Sequence, residues 1–255
     1  VSVGFLGTAG ASVATATATG GASVNVQNSN EFIADTVNID AKIATQDGKN
    51  TVEALVEGNS GGGYASVSAN AATATAEMDV SIDVGDVDYK TETTNVTTGY
   101  EYDEAGNKTP IVEDVTNGAT ALNITASNTA KNFADARGVT IGGLFSSGNN
   151  VAKTENISTT TVNFSGSKDD NATLLDSLNI AATGTADNKA TADGSGGGIV
   201  GADLAAMADN NINSATSVTI GGKLNVDGDI EVEALQSDTA NINADALKAT
   251  VVGLS

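Results

Sequence analysis

The side chains that most often carry catalysis and metal binding are missing from this 255-residue chain, which contains no histidine and no cysteine. Their absence excludes Ser-His-Asp and Cys-His catalysis, thiolate chemistry and cysteine zinc sites. Carboxylates remain, and Asp169-Asp170 is the obvious candidate pair for acid–base cleavage of a glycoside. However, Arg137 is the only arginine available to hold an acidic sugar. A solvated turn explains the pair better, and we expect no enzyme activity.

Calcium is the one cofactor for which the sequence offers candidate ligands, because carboxylate oxygens are abundant. Asp227 and Asp229 in Val226-Asp227-Gly228-Asp229 resemble part of an acidic calcium loop, and Asp86 and Asp88 form a second alternating pair. The complete EF-hand pattern is absent, and so is the GGxGxD nonapeptide of calcium-binding β-rolls. The alternatives are diffuse counterion binding and, for Asp86 and Asp88, outward positions on an ordinary strand.

Threonines alternate at Thr15, Thr17 and Thr19 and again at Thr73 and Thr75, a pattern similar to the flat threonine ladders of ice-binding β-helices. Such a ladder needs threonine at the same position of every coil. The equivalent later stretches read NNVAKTEN and ADLAAMADN. The pattern therefore favours a small-residue strand that fills a tight corner.

Composition limits the architecture and the partners. Leu, Ile, Val and Phe make up only about a fifth of the chain, and alanine supplies much of the 40% hydrophobic content. Such a composition suits the narrow core of a solenoid better than a thick globular core. The net charge of -21 disfavours nucleic acid and anionic lipid, because binding to phosphates needs clustered Lys and Arg. No apolar run approaches the length of a membrane span.

A repeated module organises the chain. Glycine-led openings at Gly4, Gly61, Gly142 and Gly197 start about 58, 80 and 55 residues apart, and each leads through a small-residue tract to an alternating apolar strand. Repeats of this length indicate stacked units that cannot bury their apolar faces alone. We therefore predict one all-β, parallel β-helical segment with approximate modules 4–60, 61–141, 142–195 and 196–255. Tandem β-sandwich domains fit the longest spacing but not the shorter ones.

Alternation of period two predicts which side chains face the core. In the strand that ends the second module, Val80, Ile82 and Val84 are expected to point inward, with Ser81 and Asp83 outward. The equivalent inward residues are Val162, Phe164, Val218 and Ile220. The strands are predicted to be about three to seven residues long, with Gly, Asn, Asp and Ser at the turns. An apolar-Asn-apolar triplet recurs at 37–39, 122–124, 178–180 and 224–226, and residues 202–207 are expected to follow the same path rather than form a helical turn.

Residues 91–118 interrupt the repeat and explain the longest spacing. They are predicted to form an inserted loop or a hairpin that turns at Ala105-Gly106-Asn107, on the outside of the solenoid. Tyr100 and Tyr102 lie within the insertion and Tyr89 just precedes it, so these three tyrosines are the candidate partner-binding residues. The alternative is that the insertion only shields a flat face or edge from other chains.

The GGG opening at Gly61, the ATATA tract at 72–76 and the repeated VNI and LNV strands resemble the leukotoxin-type filamentous adhesins of bacterial two-partner secretion, which are related to filamentous haemagglutinin. The resemblance covers almost the whole chain outside the insertion. It implies a right-handed parallel β-helix, an extracellular or cell-surface location, and adhesion to a host or neighbouring-cell ligand or self-association into filaments. The uncapped strand at Val251-Val252 leads us to expect a fragment of a longer chain. The alternative functions are a calcium- or carbohydrate-binding surface module and a polysaccharide-active enzyme.

Overall fold

The computed structural model describes residues 2–26, 31–85, 88–90, 93–116, 120–166 and 174–251. All regular secondary structure in these residues is β-strand. The strands are β1 (Ser2–Gly4), β2 (Gly7–Val26), β3 (Glu31–Ile33), β4 (Thr36–Ile43), β5 (Val52–Gly62), β6 (Ala65–Val84), β7 (Asp88–Lys90), β8 (Thr93–Tyr102), β9 (Lys108–Thr116), β10 (Thr120–Gly142), β11 (Phe145–Phe164), β12 (Leu174–Gly198), β13 (Gly201–Ile212), β14 (Ala215–Ile220), β15 (Asn225–Val226) and β16 (Ile230–Thr250).

The chain alternates between two parallel sheets. Sheet I contains β1, β4, β5, β10, β12, β15 and β16, and sheet II contains β2, β6, β11, β13 and β14. Each passage through sheet I except the last described one, β15 and β16, is followed by a passage through sheet II. We call one passage through both sheets a coil. Every ladder within these two sheets is parallel. The prediction of an all-β protein with parallel stacked strands is confirmed, and the arrangement is consistent with a β-solenoid.

The strand register reproduces the spacing of the glycine-led modules. In sheet II, Gly7 pairs with Ala65, Ala65 with Phe145, and Phe145 with Gly201. These steps span 58, 80 and 56 residues. Twenty consecutive positions of β2, β6 and β11 pair without a register shift. Equivalent residues of successive coils therefore form straight columns along the stack.

Glycines form the corner at which the chain passes from sheet I to sheet II. The Gly143 amide donates to the Gly62 carbonyl of the coil beneath at 3.0 Å, so successive corners lie directly upon one another. A Cβ on Gly143 would lie 1.9 Å from the carbonyl oxygen of Gly63, and one on Gly63 would lie 2.3 Å from that of Phe5. Only glycine allows the backbones to approach this closely.

Side-chain size within the core follows from this narrow corner. Serine and asparagine lie nearest to it, alanine fills the middle of the coil, and bulky aliphatic residues fill the far side, where longer segments return the chain to sheet I. The alanine cluster includes Ala74, Ala134 and Ala190. The aliphatic cluster comprises Val37, Ile39, Ala41, Val80, Ile82, Val84, Leu122, Ile124, Ala126, Val162, Phe164, Leu175, Leu178, Ile180 and Ala182. The predicted inward positions Val80, Ile82, Val84, Val162 and Phe164 are confirmed.

The last coil departs from this burial pattern. Val218 is only partly buried against the aliphatic cluster, and Ile220 is 36% exposed. Both residues pair in register with the buried Val162 and Phe164, so their faces are as predicted. Their exposure arises because β14 is the outermost strand of sheet II among the described residues.

Buried asparagines connect the two sheets and explain why the strands are longer than the sequence predicted. The Nδ2 group of Asn128 donates to the Met78 carbonyl at 2.7 Å, and that of Asn132 donates to the Glu155 carbonyl at 2.7 Å. These donors satisfy carbonyls of the opposite sheet, so inward asparagine continues a strand here instead of ending it. The prediction of three- to seven-residue strands was wrong for the long strands, which extend to 25 residues in β12.

The apolar-Asn-apolar triplets align in register except for the last. Asn38 pairs with Asn123 and Asn123 with Asn179, and the Asn123 amide donates to the Asn38 amide oxygen at 2.9 Å. Asn225 pairs instead with Leu174, and the place next to Asn179 is taken by Glu231. The triplet at 224–226 therefore lies outside the column that the other three triplets form. Residues 202–207 lie in β13, as predicted.

Candidate functional surfaces

The insertion contains an antiparallel hairpin of β8 and β9 at the predicted position. Its turn is closed by Asp103, whose Oδ1 accepts from the Asn107 amide at 2.7 Å and from the Ala105 amide at 2.9 Å. Gly106 has φ of 80°, a conformation that favours glycine. The Asn107 side chain donates to the other Asp103 oxygen. These donors, above all the Asn107 side chain, lower the pKa of Asp103 below its ordinary value of 3.8.

Two of the three candidate tyrosines share one face of the hairpin. Tyr100 and Tyr102 are separated by one residue on β8 and are 49% and 67% exposed. The Lys108 ammonium lies 3.4 Å from the centre of the Tyr100 ring, a cation–π contact. Tyr89 lies on β7, which pairs with β3 in a separate two-stranded parallel sheet. The hairpin thus brings together Tyr100, Tyr102 and a cation, and Tyr89 belongs to a different element.

The outer face of sheet I carries a polar furrow that the sequence did not reveal. Arg137 binds Asp135 through two contacts, Nη2–Oδ2 at 2.8 Å and Nε–Oδ1 at 3.0 Å, and lies 3.8 Å from Asp193. The hydrogen bond that Arg137 donates to Asp135, together with the negative charge of Asp135 and Asp193, raises the pKa of Arg137. Adjoining cavities of about 400 and 450 Å³ meet at Glu57 and Arg137. The only hint of this furrow in the sequence is that Arg137 is the single arginine of the chain.

Aromatic and aliphatic side chains line one end of the same furrow. Phe133 and Leu55 lie in the cavity beside Arg137, and the Lys189 ammonium is 5.3 Å from the centre of the Phe133 ring. Carboxylates, amides and an apolar wall are the groups that bind neutral or basic hydroxylated ligands. The furrow is thus chemically suited to a polar ligand with one apolar face.

The candidate calcium ligands do not form a cluster in the described residues. Asp227 and Asp229 are both exposed and lie at the bend between β15 and β16. Asp86 lies outside the described residues, and Asp88 is at the start of β7. No group of three or more acidic side chains that could hold a metal ion occurs in the part of the chain that the structure describes. Calcium binding therefore stays a prediction, and Asp169-Asp170 also lies outside the described residues.

The threonine pattern extends over two coils only. Thr15 pairs with Thr73 and Thr17 with Thr75, but the next residues in these columns are Lys153 and Glu155. Charged side chains thus interrupt the flat hydroxyl surface after two coils. This register agrees with the interpretation of a small-residue strand.

Comparisons with protein-family models, curated proteins and solved structures returned no match. In the described ranges there is no helix of the length and apolar character needed to cross a membrane.

Proposed function

We propose that the chain is a structural and adhesive segment of a bacterial secreted surface filament or adhesin, built as a right-handed parallel β-helix. The observation that carries this proposal is the unbroken register in which β2, β6 and β11 stack over twenty positions. A stacked array of this kind supplies a rigid scaffold. The high acidic charge keeps such a scaffold soluble outside the cell.

The hairpin is the proposed site of attachment. β8 and β9 pair only with each other among the described strands, and they place Tyr100 and Tyr102 on a well-exposed face. Binding energy in protein interfaces is concentrated in such aromatic anchors, and loops on rigid scaffolds commonly carry function. The partner is a host or neighbouring-cell surface ligand, and the segment is neither catalytic nor bound to nucleic acid.

Adhesion of protein-coated beads tests this proposal. We expect beads carrying the chain to bind cultured host cells or bacterial cells, and Tyr100→Ala/Tyr102→Ala to reduce the number of bound beads several-fold. Tyr64→Ala is the matched control, because Tyr64 is a similarly exposed tyrosine at the glycine corner. If the wild-type chain binds no better than uncoated beads, the adhesive role is overturned. Equal losses from both variants would remove the hairpin as the site.

A calcium- or carbohydrate-binding module is the second candidate, favoured by the furrow around Arg137. Its carboxylates and the Phe133 ring provide hydrogen-bond acceptors beside an apolar surface. Glycan-array binding that is lost in Phe133→Ala and kept in Tyr100→Ala would favour this function. A melting temperature that falls on addition of a chelator would favour a bound calcium ion.

A further inference from the structure

The two outer edges of the hairpin are not equally open to a further strand. β8 and β9 pair with each other, and no other described strand pairs with either of them. The outer edge of β9 is interrupted by Pro110, which has no backbone N–H to offer an added strand. β8 contains no proline, and Glu101 is its only charged residue. Proline and charged side chains normally protect an edge, so β8 is the less protected strand.

The hydrogen bonds of the turn determine which backbone groups of β8 point outward. The Asp103 amide donates to the Asn107 carbonyl at 3.1 Å, so these two residues form a hydrogen-bonded pair. Bonded and non-bonded pairs alternate along an antiparallel ladder, so the next pair, which contains Tyr102, is non-bonded. The pair of Tyr100 with Pro110 is non-bonded for the same reason, which agrees with the missing N–H of proline. The backbone amides and carbonyls of Tyr100 and Tyr102 therefore face away from β9.

The two faces of the hairpin differ in chemistry beside this edge. Tyr100 and Tyr102 lie on one face, where the Lys108 ammonium is 3.4 Å from the centre of the Tyr100 ring. This face therefore already contains its own cation. Glu101 lies between the two tyrosines and points to the other face, and its exposed carboxylate has no hydrogen bond or ion pair with another described side chain. An added strand would meet aromatic rings on one side and a free carboxylate on the other.

Charge determines which kind of segment can approach this edge. Acidic residues outnumber the single lysine, Lys108, between residues 93 and 116, where the carboxylates are Glu101, Asp103, Glu104, Glu113 and Asp114. A basic segment is attracted to such a surface, whereas a second copy of this chain, with a net charge of -21, is repelled. The strongest attraction is expected opposite Glu101, because side chains of a non-bonded antiparallel pair lie closest together.

We propose that the outer edge of β8 binds an extended segment of a basic partner protein, which adds to the hairpin as an antiparallel third strand. The residues of this segment are alternately apolar and basic. Its apolar residues lie opposite Tyr100 and Tyr102 and exchange backbone hydrogen bonds with them, and a basic residue lies opposite Glu101. The inference rests on the proposed function, because it names the chemistry of the partner that the hairpin binds.

The alternation of the bound segment follows from the two faces of the hairpin. When a strand adds to a sheet edge, main-chain hydrogen bonds supply affinity and alternate side chains supply specificity. Lys108 disfavours further basic side chains on the tyrosine face, and Glu101 favours them on the opposite face. The rings of Tyr100 and Tyr102 favour apolar neighbours across the strand. Screening of the charges by added salt should weaken binding.

A designed peptide, acetyl-Lys-Val-Lys-Val-Lys-Val-Lys-amide, tests the proposed pairing. When the peptide is extended, its valines and lysines lie on opposite faces, and so do their backbone N–H groups on opposite edges. We expect the fluorescently labelled peptide to bind the whole chain, measured by anisotropy. Methylation of the three valine backbone nitrogens should weaken binding at least about tenfold, because it removes the donors that face Tyr100 and Tyr102. Methylation of three lysine backbone nitrogens is the matched control and should change binding less than about twofold.

A charge reversal tests the position opposite Glu101. Glu101→Lys should weaken peptide binding at least about tenfold, because it replaces an attractive pair with a repulsive one. Glu53→Lys is the matched control, since it makes the same charge change at an exposed carboxylate on the outer face of sheet I. Unchanged far-UV circular dichroism and melting temperature establish that both variants are folded. Equal losses of binding in the two variants would show only general charge attraction and overturn the proposal.

Amide hydrogen exchange, followed by NMR, identifies the edge that the peptide occupies. Exchange at Tyr100 and Tyr102 should slow at least about tenfold on binding, whereas the Lys108 amide, on the outer edge of β9, should be unaffected. Absence of binding overturns the proposal, as do equal binding of the two methylated peptides and protection at Lys108 instead. Beads that adhere through the tyrosines while the peptide fails to bind would refute strand addition and leave the adhesive role. A peptide that protects both tyrosine amides while beads do not adhere would support strand addition and refute the adhesive role.

Discussion

At the scale of single residues, small side chains determine how closely the backbone passes itself. Within Gly61-Gly62-Gly63 the need for glycine differs from one position to the next. A Cβ on Gly61 would meet its nearest atom at 4.0 Å, whereas one on Gly63 would overlap the Phe5 carbonyl. Neighbouring residues of a strand also differ in how much space surrounds their side chains. Ile82 is completely enclosed, and its neighbour Ser81 points outward between Ser23 and Thr161. Adjacent residues thus differ sharply in what they tolerate.

Substitution within the glycine triplet tests the corner. Gly63→Ala should lower the free energy of unfolding by about 2 kcal/mol or more, because the corner must open to admit the methyl group. Gly61→Ala should change it by less than about 0.5 kcal/mol. Urea denaturation of both variants measures the difference. Equal effects would show that the corner backbone is not closely packed.

Substitution at adjacent core and surface positions tests the strand faces. Ile82→Asp should lower the free energy of unfolding by about 4 kcal/mol or more, because an unpaired carboxylate enters an apolar interior. Ser81→Asp should lower it by less than about 1 kcal/mol, since that carboxylate remains in water. Urea denaturation of both variants measures the difference. Similar decreases in the free energy of unfolding would mean that the strand faces are assigned wrongly.

At the scale of elements, the hairpin is closed by its own contacts. The Asp103 carboxylate accepts from the Ala105 and Asn107 amides and from the Asn107 side chain, all within the turn. β8 and β9 contribute no strand to sheet I or sheet II. The hairpin and the stacked sheets are therefore expected to respond separately to mutation and to pH.

The turn should be sensitive to acid. Because folding depresses the pKa of Asp103, its stabilising effect is complete above the ordinary value of 3.8 and is lost as pH falls through the lower folded value. The amide NMR signals of Ala105 and Asn107 should titrate with a midpoint below 3.8 and should not titrate in Asp103→Asn. A midpoint above 3.8 would contradict the hydrogen bonds to the charged form.

Deletion of residues 97–116, replaced by a short Gly-Ser linker, should leave the sheets intact. We expect the melting temperature to change by no more than about 2 °C, because the main core clusters contain no hairpin residue. Differential scanning calorimetry measures this. Unfolding of the deletion variant would show that the hairpin stabilises the sheets, and it could then not be a separate recognition element.

At the scale of the whole molecule, the described sheets are wider than the stack is tall. A 20-residue strand such as β6 is about 65 Å long, whereas four strands stacked in sheet II span only about 20 Å. The reason is that each module passes through two long strands rather than through several of the short strands that the sequence predicted. The long direction of the described sheets therefore lies across the stack.

Solution scattering tests these dimensions. A monomer at low concentration should show a maximum dimension of about 80–90 Å, set by the longest strand, the 25-residue β12. Thr17→Lys should give the same value, since it changes only an outer-face residue. A maximum dimension far above this in a sample that sediments as a monomer would contradict the long, flat strands.

Much of this fold follows from local pattern, whereas the site does not. Val80, Ile82 and Val84 could be assigned inward because alternation is a property of neighbouring residues. The polar interior escaped prediction because Asn128 and Asn132 need acceptors from another strand, more than twenty residues away. The furrow around Arg137 likewise combines residues from several coils, which only the register brings together. The hairpin turn could be predicted because Ala105-Gly106-Asn107 forms it locally.

The distance along the chain between paired residues also governs how this protein reaches its native state. Neighbours in sheet II are 56 to 80 residues apart in sequence, so each ladder must close a large loop before any of its hydrogen bonds forms. Proteins dominated by such distant pairing fold slowly, on timescales of milliseconds to seconds or longer. The hairpin is the exception, since Tyr102 and Lys108 are near neighbours in the chain. Refolding should thus begin with the hairpin, and the first completed coil should template those that follow.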